Sequence, residues 1–531
     1  MPSEPSVLDS LSGAWTVAPF AGNILNSLLE TNENMEIVPS LAESYVIDYT
    51  NKQYIFKIRS GVKWHDGKPL TVEDVKFTFE YLIPNYDNRG YLLKGTTVTI
   101  INSTTVAIKP ATFAPGFQIA RFACADWQVY PKHILEGVDI TKSDYRKAPI
   151  GTGPFKFKEW VKGDHITLVR NEAYWKQGLP YLDQIIVKFI NDPAVLLSAL
   201  LTGTVDYVYR GLPYESYDAL KNAGLNVFVD YKPNYKVYIQ FNLKHPILSN
   251  ELVRKAIAHA LDKEDIVYKA TNNLSRPSDR FWAPEFMPEN PELVAYSFDP
   301  KKAEELLDRA GFVKGSDGKR FEIELLVRSG EADEMKTAEL VRNYLNNVGI
   351  YVKIKSADFA TVESLQANYQ YEMAIIKRWI NPVFAYQNHH SSFIKPGTPL
   401  VNLVQYNNSE VDYWYDQWAY HATSEEERTQ ALLNVETILT KDLPELPLYD
   451  VAWLYVWNKR VGGAFVPSRN WLQSEALETV YIIEAPTTTT HTPSTTTTQP
   501  ITGLEPIHVI LAVVIVVIIL LVIALLIKRR R

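Results

Sequence analysis

The feature that most constrains this chain is a change of residue period between positions 321 and 358. The segment FEIELLVRSG, Phe321–Gly330, alternates apolar and polar residues as a strand does. The segment Asp333–Gly349 has the apolar spacing of a helix and ends in glycine, and IYVKIKSAD, from Ile350, alternates again. A strand, a helix and a strand in this order predict a β-α-β unit, so we expect an α/β fold.

Two further stretches carry clear helix boundaries. In FDPKKAEELLDRAGF, Asp299 is placed as an N-cap, Pro300 lies in the first turn and Gly311 ends the helix. The segment Glu251–Ala270 is typical of two helices, the second capped by Asp262. Helices therefore alternate with strands through this part of the chain.

The stretch GVKWHDGKPLTVEDVKFTFEYL raises the question of whether Trp64, His65 and Asp66 form a reactive site. The residues HDGKP favour a turn, and Thr71 and Asp74 have nearly the spacing of a capping box. The following helix carries a core-facing stripe at i, i+4 and i+7, formed by Val75, Phe79 and Leu82. A catalytic His–Asp pair needs a nucleophile or metal beside it, and adjacent residues rarely converge on one atom. We therefore interpret the stretch as a strand-to-helix turn and expect no catalytic residues.

The C-terminal segment VILAVVIVVIILLVIALLI, Val509–Ile527, contains no polar residue. As a helix it would be about 28 Å long, close to the thickness of a bilayer core. The basic residues Lys528–Arg531 follow directly, and positive charge stays on the cytoplasmic side of a membrane. We therefore predict a single transmembrane helix at 509–527, a cytoplasmic tail at 528–531 and a globular head outside the cell.

Residues 486–506 are predicted to form a stalk between head and membrane. Their Thr/Pro-rich tract, PTTTTHTPSTTTTQP, is too polar to form a core and is of a kind often O-glycosylated. Asn-x-Ser/Thr sequons at Asn102, Asn273 and Asn407 agree with an external, glycosylated head. The first residues show no signal-peptide pattern, so we expect a misplaced start codon or a truncated sequence.

Composition excludes several other functions. The net charge of −7 argues against a nucleic-acid partner, because phosphates need a basic surface. Cys124 is the single cysteine, which excludes an intrachain disulfide and a multi-cysteine zinc site. The segment GSDGKR lacks the spacing and the hydroxyl residue of a P-loop. Aromatic residues make up 12% of the chain, an excess that fits either a tyrosine-rich surface or stacking surfaces for a ligand.

Six segments, occurring in a fixed order, carry a resemblance to a known family: EIVPSLAESYVID, YIFKIRSGVKWHDGKPLTVEDVKFTFEYL, GTGPFKFKEWVKGDHITLVRNEAYWKQGLPYLDQIIVKFI, LLTGTVDYVY, FNLKHPILSNELVRKAIAHALDKEDIV and DPKKAEELLDRAGF. Together they resemble the extracellular solute-binding proteins of ABC transporters, in the oligopeptide/dipeptide/nickel-binding class. The stalk and the C-terminal anchor further resemble the archaeal members, several of which bind sugars.

The resemblance implies a two-lobed α/β clamp of the periplasmic-binding-protein type (type II), with an extra small domain. Lobe I would comprise residues 1–35, 149–232 and 452–485, the small domain residues 36–148, and lobe II residues 233–451. The lobes would close over a solute. The loaded protein would then dock on the permease subunits of an ABC transporter, whose ATP hydrolysis is performed by separate cytoplasmic subunits.

The resemblance also directs attention to the run Ile375–Ser392 on lobe II. Peptide-binding members carry an acidic residue a few positions after a Trp, where it pairs with the amino terminus of the peptide. This chain keeps Trp379 but places Asn381 where the acid is sought. A buried ammonium group without a carboxylate would be costly, so we place an oligosaccharide slightly ahead of an oligopeptide as the ligand.

In that interpretation, sugar rings would stack on Trp379 or Tyr386 while Asn381 shares hydrogen bonds with hydroxyl groups. Phe384 would add an apolar face. The alternative, that these aromatic side chains only pack the lobe, stays open for Trp379 and Tyr386 and is favoured for Phe384.

Four weaker candidates for ligand contact are spread over the chain: Trp15, Trp127, Arg210 and Trp282. The adjacent His389 and His390 raise the question of a metal site. Adjacent His side chains on a loop rarely chelate together, and no third ligand is marked, so we expect neither metal nor cofactor.

Two other classes of function stay open as alternatives. A cell-surface adhesin or scaffold fits the stalk but not the order of the motifs. An extracellular glycoside hydrolase needs two carboxylates about 5–10 Å apart in a cleft, and no motif marks such a pair.

Overall fold

The structure is a computed structural model that describes residues 4–11, 18–32, 36–87, 90–124, 127–208, 212–231, 235–282, 284, 287–379, 381–399, 401–463 and 477–483. Trp15, Arg210, the predicted stalk and the predicted transmembrane segment lie outside these ranges. Within them, none of the helices has both the length and the apolar character that crossing a bilayer requires.

The strands in chain order are β1 (Leu29–Thr31), β2 (Ile37–Pro39), β3 (Ala42–Asp48), β4 (Gln53–Ile58), β5 (Thr97–Asn102), β6 (Thr105–Lys109), β7 (Phe155–Val161), β8 (His165–Arg170), β9 (Gln184–Lys188), β10 (Tyr207–Val208), β11 (Asn226–Asp230), β12 (Tyr235–Phe241), β13 (Arg276–Pro277), β14 (Phe321–Arg328), β15 (Ile350–Ala357), β16 (Met373–Trp379), β17 (Glu445–Asp450), β18 (Trp453–Trp457), β19 (Val461–Gly462) and β20 (Tyr481–Ile482).

The α-helices are α1 (Ala18–Ile24), α2 (Val72–Lys76), α3 (Ile83–Tyr86), α4 (Pro115–Phe122), α5 (Lys132–Leu135), α6 (Pro193–Leu201), α7 (Tyr217–Asn222), α8 (Glu251–Ala260), α9 (Lys263–Thr271), α10 (Pro300–Arg309), α11 (Ala332–Asn347), α12 (Phe359–Ala367), α13 (Pro382–His389), α14 (Ser409–Asp416) and α15 (Glu425–Asp442). Two π-helical stretches, Phe77–Leu82 and Gln417–His421, continue α2 and α14.

The predicted β-α-β unit is confirmed. Strands β14 and β15 pair in parallel along their whole length, from Phe321↔Ile350 to Arg328↔Ala357, and α11 connects them. They belong to a six-stranded sheet in the order β13-β17-β12-β16-β14-β15, in which β12 runs antiparallel to both β16 and β17. Apolar side chains of β12, β14 and β16 are buried against α8, α9, α10 and α11 in one core.

The predicted helix boundaries in this region are confirmed as well. The side chain of Asp299 accepts from the backbone N–H of Lys302 at the start of α10, and Asp262 does the same for Asp265 at the start of α9. Gly311 follows α10 with φ +87°, a left-handed conformation that side chains with a Cβ rarely adopt.

The smaller sheets come from other parts of the chain. A four-stranded antiparallel sheet, β3-β4-β6-β5, is formed within residues 42–109. The antiparallel sheet β7-β8-β9 follows in sequence. A third small sheet, β10-β18-β11, joins strands from residues 207–230 to the late strand β18.

The chain runs between the six-stranded sheet and the sheet β10-β18-β11 along two neighbouring paths. In the small sheet Asp230 is paired with Trp453, and in the large sheet Lys236 is paired with Asp450. The backbone N–H of Val451 donates to the carbonyl of Tyr235 at 2.8 Å, which holds the two paths together.

The stretch around Trp64 is a turn between β4 and α2, as predicted. Trp64 is buried, and the Asp74 carboxylate accepts from the backbone N–H and the hydroxyl of Thr71 at 2.8 and 3.0 Å. The predicted stripe Val75, Phe79 and Leu82 is fully buried.

His65 joins this turn to the segment that enters β7. Its Nδ1 accepts from the backbone N–H of Gly151 at 3.2 Å, and its Nε2 lies 3.0 Å from the carbonyl oxygen of Gly153. Burial lowers the pKa of His65 to about 4. Both ring nitrogens are therefore used in backbone contacts, which explains why this position carries an aromatic ring with two nitrogens.

Candidate functional site

The candidate site lies at one edge of the six-stranded sheet. Strands β14, β15 and β16 are parallel, so their carboxyl ends, Arg328, Ala357 and Trp379, reach the same edge. In open α/β sheets ligands bind outside the carboxyl ends of such strands. The same edge includes Tyr235, because β12 begins opposite Trp379.

Three aromatic side chains meet at this edge. The ring of Trp379 lies 4.7 Å from that of Tyr235 and 5.4 Å from that of Trp453, and the rings of Tyr235 and Trp453 are 6.0 Å apart. All three contacts are edge-to-face, the geometry that aromatic pairs favour. We call Tyr235, Trp379 and Trp453 the strand-end trio.

The strand-end trio lies where the chain passes between the two sheets. Tyr235 opens β12 of the large sheet, whereas Trp453 opens β18 of the small one. All three residues are half-buried, so the trio presents part of its aromatic surface. Sequence reasoning identified Trp379 but missed the other two, although both stand beside the predicted boundaries of lobe II at 233 and 451.

Asn381 follows Trp379 by two positions and is the N-cap of α13. Its Oδ1 accepts from the backbone N–H of Phe384 at 2.9 Å, and its backbone carbonyl accepts from the N–H of Ala385 at 2.9 Å. Asn381 is only 6% exposed, and among the described residues its Nδ2 has no hydrogen-bond partner. The side chain is therefore fixed in orientation by the helix and holds one buried donor.

Salt bridges stabilise β14 and β16, two of the strands that end at this edge. Lys377 Nζ bonds to Glu331 at 2.8 Å and to Asp333 at 3.0 Å, and Arg328 forms a bidentate pair with the buried Glu334. Burial alone would lower the pKa of Lys377, but the carboxylates of Asp333, Glu334 and Glu331 raise it well above its usual range. The lysine thus stays charged and ties β16 to the start of α11.

A second buried network ties β16 to the far end of α13. Glu445, with no exposed surface, pairs with Arg378, lies 3.2 Å from Nε2 of His389 and accepts from Gln240 at 2.6 Å. Burial lowers the pKa of His389 and opposes its protonation. Because Arg378 precedes Trp379 and His389 ends α13, this network fixes both ends of the segment that holds Asn381.

His389 and His390 therefore contact different partners. His390 stacks on Tyr386 at 4.6 Å, whereas His389 contacts Glu445. In the ranges that the structure covers, His, Cys, Asp and Glu side chains nowhere gather in threes as they would around a metal ion.

Tyr386 belongs to a second aromatic group. Its ring contacts Phe117 of α4 at 4.9 Å and Trp418 at 6.4 Å, and Phe117 also lies 4.9 Å from Trp418. We call Phe117, Tyr386 and Trp418 the enclosed cluster, since each is 5% exposed or less. The hydroxyl of Tyr386 donates to Asp416 at 2.8 Å, and Phe384 beside it is half-buried.

Two of the predicted contact residues are placed in the core instead, which corrects the expectation that they face a cleft. Trp127 has no exposed surface and packs against Phe79 and Phe122. Trp282 is 1% exposed, and its Nε1 donates to the carbonyl of Leu432 at 3.2 Å. A large indole can pack in a protein core as readily as it can stack on a ligand.

Comparison with known proteins gives a consistent result. The sequence model of the family described as "Bacterial extracellular solute-binding proteins, family 5 Middle" matches residues 36–395. The oligopeptide-binding protein AppA of Bacillus subtilis is 32% identical over 436 residues, which span 77% of this chain and 78% of AppA.

Solved structures agree in fold. The structure of Bacillus subtilis AppA in complex with a nonapeptide aligns with a TM-score of 0.73 and 26% identity, over 91% of this chain and 98% of that one. The substrate-binding protein CtaP of Listeria monocytogenes aligns with a TM-score of 0.79 over the same shares of the two chains, at 24% identity.

Proposed function

This chain belongs to the bacterial extracellular solute-binding proteins of family 5, and on that basis we propose that it captures an oligopeptide and delivers it to an ABC-transporter permease. Its fold is the two-lobed α/β fold of this family. The two relatives are named an oligopeptide-binding protein and an ABC-transporter substrate-binding protein, and the chain is accordingly interpreted as a binding protein rather than an enzyme.

The observation that carries the proposal is the strand-end trio. Its half-buried rings lie at the carboxyl ends of the parallel strands and beside both paths between the sheets. Closure of one lobe on the other about these paths would bring a bound solute against the aromatic surface. Aromatic side chains contribute much of the binding energy in such surfaces because they are large and rigid.

An oligopeptide is the leading ligand because the relative with 32% identity is named an oligopeptide-binding protein and was solved with a nonapeptide. This reverses the order expected from the sequence. An oligosaccharide is the second candidate, favoured by one observation: the residue that follows Trp379 by two positions is an asparagine, with no carboxylate to pair with an ammonium group.

We further propose that the head works outside the cell, held by a helix at Val509–Ile527 with Lys528–Arg531 in the cytoplasm. The proposal rests on the apolar run and the basic residues that follow it. The asparagines of the three sequons, Asn102, Asn273 and Asn407, are all exposed, as glycosylation requires. The resemblance of the stalk to that of archaeal members stays a prediction, as do the domain boundaries.

The test of ligand class is a tryptophan-fluorescence and thermal-shift titration with a pool of nonapeptides of mixed sequence. Parallel titrations use cello-oligosaccharides and maltodextrins. A ligand that binds only the folded state raises the melting temperature, so saturable peptide binding should appear in both measurements. The bound peptides are eluted and identified by mass spectrometry.

Three results would change the proposal. Saturation by sugars alone would favour the second candidate ligand. Recovery of chemically altered peptides or sugars would indicate an enzyme such as a glycoside hydrolase. A head that binds neither class but adheres to surfaces would favour the adhesin.

A further inference from the structure

The hydrogen bonds that Asn381 already makes restrict which ligand atoms can bind to it. An asparagine side chain ordinarily offers one acceptor oxygen and two N–H donors. Here the Oδ1 is held by the N–H of Phe384 and the backbone carbonyl by the N–H of Ala385, both at 2.9 Å. Each oxygen of this residue thus already accepts a hydrogen bond from the first turn of α13, and the amide NH2 is the group of the side chain that is left to bind a further partner.

The amide NH2 of Asn381 is buried. Nδ2 of Asn381 has almost no solvent contact and, in the part of the chain that the structure describes, no hydrogen-bond partner. Buried polar groups in native proteins are nearly always paired, and an exception calls for an explanation. The missing partner of Nδ2 is explained if this donor forms its hydrogen bond with the bound solute.

The surroundings of Nδ2 favour an electron-rich partner. Asn381 stands at the N-terminus of α13, an eight-residue helix, where the helix dipole is positive. The nearest cations along the strand, Lys377 and Arg378, are already paired with carboxylates. An ammonium group at this position would meet an N–H donor and a positive helix end, both of which repel it.

We infer that Asn381 recognises an oxygen acceptor of the solute, which in a peptide is a carbonyl or carboxylate oxygen, and that it does not recognise the amino terminus. The inference rests on the proposed function, because it assigns chemistry to the same site. Solvent does not reach Nδ2 in this conformation, so the oxygen of the solute would enter only when the residues around Asn381 move. The strand-end trio beside Asn381 supplies the apolar contacts of the same solute.

Two substitutions at Asn381 change the side-chain donor but keep the N-cap of α13. Asn381→Asp keeps the N-cap, because Asp and Asn cap helices equally well, but replaces the donor by a negatively charged oxygen. Asn381→Ser also keeps a capping oxygen and, without adding charge, removes the amide NH2 and leaves only a shorter hydroxyl as donor. The matched control is Asn250→Asp at the N-cap of α8, where the side chain accepts from the N–H of Leu252.

The probe is the peptide recovered from the nonapeptide pool and resynthesised, or the oligosaccharide if only sugars bind. It is titrated by isothermal calorimetry into the full chain. We expect Asn381→Asp to lose affinity by at least about tenfold, Asn381→Ser by less, and Asn250→Asp to stay within about twofold. Thermal unfolding of each variant checks that the N-cap is retained.

The sign of the Asp effect decides the matter. An ammonium group at this position would bind the Asp variant more tightly, so a gain in affinity, or no change, would overturn the inference while leaving the proposed function intact. A wild-type protein that binds neither peptides nor sugars would remove the proposed function itself, and with it the inference. If Asn381→Asp is poorly folded, the loss measured with Asn381→Ser decides alone.

Discussion

The strand-end trio and the enclosed cluster both consist of three aromatic side chains, yet they differ in burial. The rings of Tyr235, Trp379 and Trp453 are half-buried, and the amide NH2 of Asn381, two residues after Trp379, lacks a partner among the described residues. Phe117, Tyr386 and Trp418 are closed off from solvent, and the hydroxyl of Tyr386 is bonded to Asp416.

What covers each group accounts for the difference. Helix α4, from the segment 36–148, contributes Phe117 to the enclosed cluster and packs closely against Trp418. Gly116 permits this contact, since a Cβ there would lie 2.5 Å from the carbonyl oxygen of Trp418. The strand-end trio stands where the chain passes from one sheet to another. Aromatic residues of similar appearance in the sequence thus serve packing in one place and are open to a solute in the other.

Removing a ring from the enclosed cluster should give the largest effect. We expect Phe117→Ala to lower the free energy of unfolding by about 3–5 kcal/mol, because a buried ring is lost and a cavity is left. Urea denaturation measures this, and ligand affinity of the folded fraction should be unchanged. Phe228→Ala, at a residue that is 38% exposed, is the control and should cost little. A loss of affinity without loss of stability would place Phe117 in the binding site and break the comparison.

Acidification tests His65, a half-buried residue outside the enclosed cluster, by a different route. The pKa of His65 is lowered by burial to about 4 in the folded protein, from a usual value near 6.5. Between these values the unfolded chain binds the proton and the folded one does not, so stability is full above pH 6.5 and falls as pH drops toward 4. The expected loss is about 3 kcal/mol.

The variant His65→Gln checks this assignment. Its stability should vary less than that of the wild type between pH 6.5 and 4, as measured by urea denaturation at each pH. Its affinity for the recovered peptide at neutral pH should equal that of the wild type. A large loss of affinity would mean that the turn around Trp64 has a role beyond structure.

Local patterns in the sequence predicted the fold well where a short segment decides the outcome. The unit Phe321–Ala357, the caps Asp299 and Asp262 and the turn at Trp64 all follow from residues close to one another in the chain. Whether a given tryptophan side chain is buried in the core could not be predicted in this way. Trp127 and Trp282 carry no local signal that separates a core indole from a ligand platform, because the packing partners of each come from other elements.

The candidate site shows the same limit. Trp379 was found from its run of neighbours, whereas Tyr235 and Trp453 join it only through the pairing of β12 with β16 and the start of β18. The capping role of Asn381 could have been found, since Asn followed by Pro before an apolar run is a typical helix start. Nothing in the sequence indicates that its amide NH2 would be buried with no hydrogen-bond partner among the residues that the structure describes.

Truncating the half-buried indole of the strand-end trio should act on binding rather than on folding. We expect Trp379→Ala to weaken binding of the recovered peptide by about 1–3 kcal/mol, with a smaller loss of stability than Phe117→Ala. Calorimetry gives the affinity and urea denaturation the stability. The matched control is Trp457→Ala, a half-buried indole at the other end of β18 from Trp453. Unchanged affinity in a folded Trp379 variant would remove this residue from the site.

The smallest effect is expected from Tyr386→Phe, which keeps the ring and removes only the hydroxyl that donates to Asp416 at 2.8 Å. Loss of this hydrogen bond should cost about 1 kcal/mol of stability, because the bond is only partly buried and Asp416 retains access to water. Affinity for the recovered peptide should not change if Tyr386 belongs to packing. The sequence placed Tyr386 beside Trp379 as a stacking surface, so a selective loss of affinity here would restore that interpretation and show that the enclosed cluster opens to the solute when the lobes part.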